Sequence, residues 1–146
     1  MYNILKEAHS GLAYLVLLTL LLSTIIYFLQ YAGKKSLRKK SKTLALVTMI
    51  IVHLQFLLGI ILYFVSPIIQ SGFKDFSATM KDPLLRLQIL EHPLIMLVVV
   101  VFVTLAHKHV KKASLDLSSL TVGAPLLLLF ALILALSRIP WSVWMA

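Results

Sequence analysis

Four apolar blocks, each near the length that crosses a bilayer, constrain this chain more than any other feature. They run roughly over 9–31, 44–69, 88–107 and 120–141, and about 20 helical residues span about 30 Å of hydrocarbon. With 60% of its 146 residues hydrophobic and 13% charged, the chain has too little polar surface to coat a soluble domain of this size. The reading is an all-α membrane protein, one domain over 1–146 with transmembrane helices at about 9–31, 44–67, 83–108 and 120–141. The first block has an apolar core longer than a secretory signal and no A-x-A-like site after it, so it reads as a retained helix.

Charge orients the spans. The net charge of +9 is concentrated in two short connections: Lys34, Lys35, Arg38, Lys39, Lys40 and Lys42 after the first block, and Lys108, Lys111 and Lys112 after the third. Positive connections stay in the cytoplasm, with Asp116 the only acid on that side. The opposite face sets Lys6, Lys74, Lys81, Arg86 and Arg138 against Glu7, Asp75, Asp82 and Glu91 and is nearly neutral. The expected topology is N-out/C-out, and short connections favour an up-down-up-down four-helix bundle. Basic residues confined to loops between spans argue for a lipid bilayer as partner and no nucleic acid.

Local signals set the boundaries. Gly33 suits the end of the first helix, with Tyr27, Gln30 and Tyr31 read as interfacial. Pro67 and Gly72 end the second, and the polar stretch 70–82 reads as an external loop. Asp82 followed by Pro83 is an N-cap with proline at the first helical position. Pro93, inside the third helix, removes a backbone donor and predicts a kink beside Glu91 and His92. Trp141 and Trp144 suit an external aromatic belt.

The chain has no cysteine, which excludes disulfides, thiolate-held clusters and covalent haem attachment. Histidine, methionine and carboxylate remain as ligands, and each of the five histidines needs a reading, since intramembrane ionisable groups are costly. His109 reads as part of a solvated basic loop. His107 sits at the cytoplasmic end of the third helix, where a cation meets the favourable end of the dipole. His9 and His92 open the first and third helices from the same side, at matching depth. In an up-down bundle those helices are diagonal, so two imidazoles face each other across the core, as the axial ligands of a haem iron must. The competing reading is two interfacial histidines bonded to headgroups or neighbouring helices.

Several residues support a cofactor there. Ser10, Gly11, Gly59 and Ser66 leave room on the first two helices. Arg138, with Arg86 or Lys81, suits haem propionates through charge and, for arginine, fork geometry; Arg138 is equally an interfacial anchor. Glu91 is placed to serve His9 rather than its own neighbour His92. Met96 lies one turn beyond His92 as core filler or alternative ligand. His53 sits on the order of 15 Å deeper than His9 and His92, too deep for the same iron. It and His107 are weaker metal candidates, and His53 and Gln55 cannot both face the bundle centre.

The run His9, Ser10, Gly11 opening the first helix, Gln55, Phe56, Leu57, Leu58, Gly59 on the second, and Glu91, His92 opening the third resembles half of a haem A synthase. The chain is also similar to small four-helix bacterial membrane b-type cytochromes. That resemblance implies haem b, with His9 and His92 as ligands, in the bacterial inner (cytoplasmic) membrane. Haem A synthases have two such halves and loop cysteines; this chain has one half and none, so electron transfer or haem holding is implied rather than oxidative haem modification. The expected function is electron transfer, with quinone, other membrane-complex subunits or a homo-oligomer as partners. The alternative is a non-enzymatic structural subunit of a larger membrane complex. A transporter is disfavoured because no span carries a Gly/Pro-broken centre.

Overall fold

The computed structural model describes residues 1–33, 39–115 and 120–144. The expected basic residues Lys34, Lys35 and Arg38, and Asp116, lie outside the described residues, as do the side chains of Lys39 and Lys40. The described residues are almost all helical: α1 (Tyr2–Ala32), α2 (Lys39–Val65), α3 (Pro67–Lys74), α4 (Phe76–Lys81), α5 (Pro83–Arg86), a π-helical turn over Leu87–Glu91, α6 (His92–Leu115), α7 (Gly123–Ser137) and α8 (Trp141–Trp144). Three stretches are long and apolar enough to cross a membrane: Tyr2–Ala32, Ser41–Val65 and Pro83–Ala113. The helix Gly123–Ser137 is a shorter apolar one.

Interhelical hydrogen bonds give the arrangement. Gln55 on α2 reaches the carbonyl of His9 on α1 at 2.8 Å, and Ser23 meets Thr48 at 2.8 Å, so early α1 pairs with late α2. Tyr63 on α2 reaches Ile89 at 2.9 Å, and His92 meets the Arg138 carbonyl beyond α7 at 2.7 Å. Consecutive long helices are therefore antiparallel. Packing runs α1 on α2, α2 on α6, α6 on α7 and α7 on α1, leaving α1 and α6 diagonal across the core.

Each helix turns one stripe inward with heptad-like spacing. The buried residues are Val16, Leu20, Ser23 and Tyr27 on α1, and Ser41, Ala45, Thr48 and Val52 on α2. On α6 they are Val99, Val103, Ala106, Val110 and Ala113, and on α7 Ala124, Leu128, Ala131 and Ala135. Alternating three- and four-residue steps keep one seam facing its neighbours in a left-handed bundle. Alanines along α6 and α7 let those backbones approach, the means by which helices pack where lipid removes any hydrophobic preference for protein. Large aliphatic and aromatic side chains such as Leu18, Ile25, Leu57, Val101, Phe130 and Ile133 face outward, as lipid requires.

Tyr27 and Gln30, expected at the interface, lie instead in the α1–α2 seam. The Tyr27 hydroxyl donates to the Ser41 carbonyl, and the Gln30 amide to the Ser41 hydroxyl. The Tyr27 hydroxyl and the Gln30 amide nitrogen thus find protein partners, while the Gln30 carboxamide oxygen is buried without one.

The segment 70–82, expected as a loop, is mostly helical. Ser66 ends α2 in extended backbone, Pro67 starts α3, and Asp75 and Asp82 cap α4 and α5 by accepting backbone N–H bonds. Asp82 thus acts as the sequence predicts. This helical cap folds onto Ile89: a side chain on buried Gly72 would overlap Ile89, and Thr79 donates to the Gly72 carbonyl at 2.8 Å.

Around Pro93 the backbone takes the expected irregularity in a specific form. Proline has no N–H for the carbonyl four residues earlier, that of Ile89, and its ring crowds that carbonyl. The helix widens into the π turn Leu87–Glu91, and the Tyr63 hydroxyl donates to Ile89 O at 2.9 Å. One side chain of α2 thereby satisfies the acceptor that Pro93 leaves.

Candidate functional site

Extending the inward stripes toward the α3–α4 end of the bundle shows which residues form the site. Stepping back from Val16 by the same spacing reaches Ala13 and His9; stepping back from Val99 reaches Met96 and His92. Stepping forward from Val52 reaches Gln55 and Gly59. Where the other half of the core is filled by Val, Leu and Ala together with Tyr27 and the hydroxyl side chains Ser23, Ser41 and Thr48, this half opens into a cavity of about 550 Å³ lined by His9, Ala13, Gln55, Gly59, His92 and Met96 among mainly apolar neighbours. Well-packed interiors have few voids larger than a water molecule; a cavity of this size falls in the range of ligand sites.

His9 and His92 meet across it. Their ring centroids are 6.3 Å apart and their planes inclined by 81°. His92 Nδ1 is engaged by the Arg138 carbonyl at 2.7 Å, which leaves Nε2 free. His9 is held on the opposite wall. Its backbone carbonyl accepts from Gln55 Nε2, and its ring lies against Gly59, where an added Cβ would sit 3.1 Å from Cε1. His9 Nδ1 and Gln55 Oε1 are both buried and without a hydrogen-bond partner.

Gly59 was expected to leave room for a flat ligand, but that room is occupied by the His9 imidazole. Gly11 faces outward with nothing near its Cβ position, whereas Ser10 and Ser66 do line the cavity. Glu91 does not serve His9. It bridges Arg86, Nε to Oε1 at 2.8 Å, and Arg138, Nε to Oε2 at 3.3 Å. Arg86 also donates to the Met80 carbonyl, and Arg138 to that of Ser137. The two arginines and Glu91 thus form one polar cluster adjoining His92, and the Arg138 carbonyl links cluster to ring.

The other histidines stand apart from the pair. His53 is exposed, its Nδ1 at 2.8 Å from the Met49 carbonyl and its Nε2 at 3.4 Å from Thr104 Oγ1 on α6. It faces the α2–α6 edge while Gln55 faces the core, the division that helical geometry requires. His107 is half-buried in α6 with Nδ1 unpartnered. His109, expected in a loop, lies within α6 with its ring against Gly123. No group of three or more His, Asp or Glu side chains converges among the described residues.

Sequence reasoning named the histidine pair but missed Gln55 and Tyr63 as the residues holding its surroundings. The heptad register shared by His9, Val16 and Ser23, with Gln55 one step past Val52, was a signal able to find Gln55. No comparable signal marked Tyr63, whose role depends on where Pro93 falls on another helix. Comparisons with protein-family models, curated proteins and solved structures give no match to this chain.

Proposed function

We propose that this chain is a membrane-embedded haem b protein that carries electrons, with His9 and His92 as the axial ligands. The observation that carries the reading is the pair of diagonal imidazoles, 6.3 Å between centroids, facing a cavity of about 550 Å³. Two imidazoles bound through nitrogen at about 2 Å to one metal atom hold their centroids on the order of 6 Å apart. A facing pair of imidazoles would suit a metal whose remaining positions a macrocycle fills.

The surroundings support the same reading. A ligating histidine commonly donates its other N–H to a backbone carbonyl, which is the relation of His92 to Arg138. Arg86 and Arg138 each carry five donors and spend only some of them on Glu91 and backbone, so both retain N–H groups for propionates. Bound haem b supplies a one-electron couple. His9 and His92 would hold the iron and the apolar lining would exclude water, while Arg86 and Arg138, which lie in the Glu91 cluster beside His92 and outside the cavity lining, would meet the carboxylates. Held by both His9 and His92, the group would supply electron transfer rather than activation of a small molecule. The apolar lining suits a lipid-soluble donor such as quinol, with a redox partner outside.

We place the protein in the bacterial cytoplasmic membrane as four spans, N-out and C-out, with the histidine end outward, on the strength of the basic connections. The test is the optical spectrum of detergent-purified protein with a pyridine haemochrome assay. A Soret band with sharp α and β peaks on reduction, lost in both His9→Ala and His92→Ala, is expected. Colourless protein from haem-replete cells that co-purifies with fixed membrane partners would replace this reading with that of a structural subunit.

A further inference from the structure

Two buried polar atoms on the cavity wall lack partners, and they are chemically complementary. If His9 ligates through Nε2, its Nδ1 carries the proton and must donate; Gln55 Oε1 only accepts. Both belong to residues already joined, since Gln55 Nε2 donates to the His9 backbone carbonyl at 2.8 Å. Gly59, one turn beyond Gln55 on the same face of α2, contacts the His9 ring closely enough that a Cβ would press on Cε1 and lie 3.7 Å from Nδ1. Orphaned polar atoms in a low-dielectric interior each cost roughly 1–3 kcal/mol, and one contact between these two removes both costs.

We infer that Gln55 is the positioning residue for His9: its carboxamide oxygen accepts the His9 Nδ1–H, directly or through one water, and so fixes the tautomer that presents Nε2 to the cavity. Gln55 then does for His9 what the Arg138 carbonyl does for His92. Gly59 holds the ring on the wall so that the bond can form. A side chain on α2 thereby sets the electron density of a ligand on α1, because a stronger acceptor at Nδ1 makes the imidazole a stronger donor at Nε2. The effect on a haem rests on the function proposed above, whereas the tautomer does not.

The test uses the full-length protein in detergent, as wild type, Gln55→Leu and Gln55→Glu. In haem-free protein, where no metal fixes the proton, selective 15N-histidine labelling, with the His9 signals assigned from His9→Ala, is expected to show the Nδ1–H tautomer in wild type and its loss in Gln55→Leu. In haem-loaded protein, Gln55→Leu is expected to raise the reduced-to-oxidised ratio at fixed ambient potential about tenfold, equivalent to about 59 mV for a one-electron couple. Gln55→Glu, which keeps an acceptor, is expected to lower it. A His9 tautomer that is the same in wild type and Gln55→Leu overturns the assignment. Should Gln55→Leu fail to fold, a Gln55→Glu potential at or above wild type overturns it equally. Wild-type protein without haem removes the cytochrome reading alone, since the 15N spectra still decide the role of Gln55.

Discussion

Gly59 and the two histidines set the local conditions of the site. The His9 ring uses the space above Gly59, where an added methyl would come within 3.1 Å of Cε1. Gly59→Ala therefore requires the imidazole to give way by a few tenths of an ångström, which changes how it is aimed at His92. Loss of an outer support of a metal ligand typically weakens binding 10–100-fold, and Gly59→Ala is expected to fall in that range in haem retention during detergent washing. A Gly11→Ala variant, whose added methyl meets nothing, should retain haem as wild type does.

At the scale of elements, one hydroxyl bonds α2 to the π turn on which α3 also packs. Tyr63 covers the Ile89 carbonyl that Pro93 deprives of its helical donor. Tyr63→Phe leaves that acceptor bare in an apolar setting, so a loss of roughly 1–3 kcal/mol is expected, read from thermal unfolding in detergent. In a Pro93→Ala background the restored N–H can serve Ile89, and the same Tyr63→Phe change should cost much less. A double-mutant cycle therefore reads a coupling on the order of 0.5–3 kcal/mol, and additive effects would refute the account. Because His92 directly follows the π turn, the cycle also reports on what aims the ligand.

The whole molecule divides into a packed half and an open half, and the division fits a membrane orientation. Buried residues continue from Leu20 to Tyr27 on α1 and from Val103 to Ala113 on α6, while the cavity, the His9–His92 pair and the α3–α4 cap share the other end. The proposed orientation puts the open half outward. The chain has no cysteine, so single substitutions at exposed Ser77 and Lys112 test it. In spheroplasts, Ser77→Cys should react with a membrane-impermeant maleimide and Lys112→Cys only after permeabilisation; the reverse pattern would invert the topology.

Hydropathy, charge and the local chemistry of Asp and Pro in the sequence were enough to determine three long apolar helices, the Asp82 cap, an irregularity at Pro93 and a matching level for His9 and His92, while the fourth expected span is a shorter apolar helix, Gly123–Ser137. Each follows from local composition or from steps along one helix, where a residue's neighbours are set by spacing alone. What only tertiary structure decided is who partners whom between helices. Gln55 engages His9, Tyr63 serves Ile89, Glu91 turns to two arginines instead of to a histidine, and Tyr27 points into the α1–α2 seam. The polar stretch 70–82 belongs with these in part, for its helices are capped locally by Asp75 and Asp82 but are seated on Ile89 through Gly72 and Thr79. Backbone polar groups shielded from water must find partners, and which side chain supplies one depends on distances across the bundle that no spacing along a single chain segment encodes.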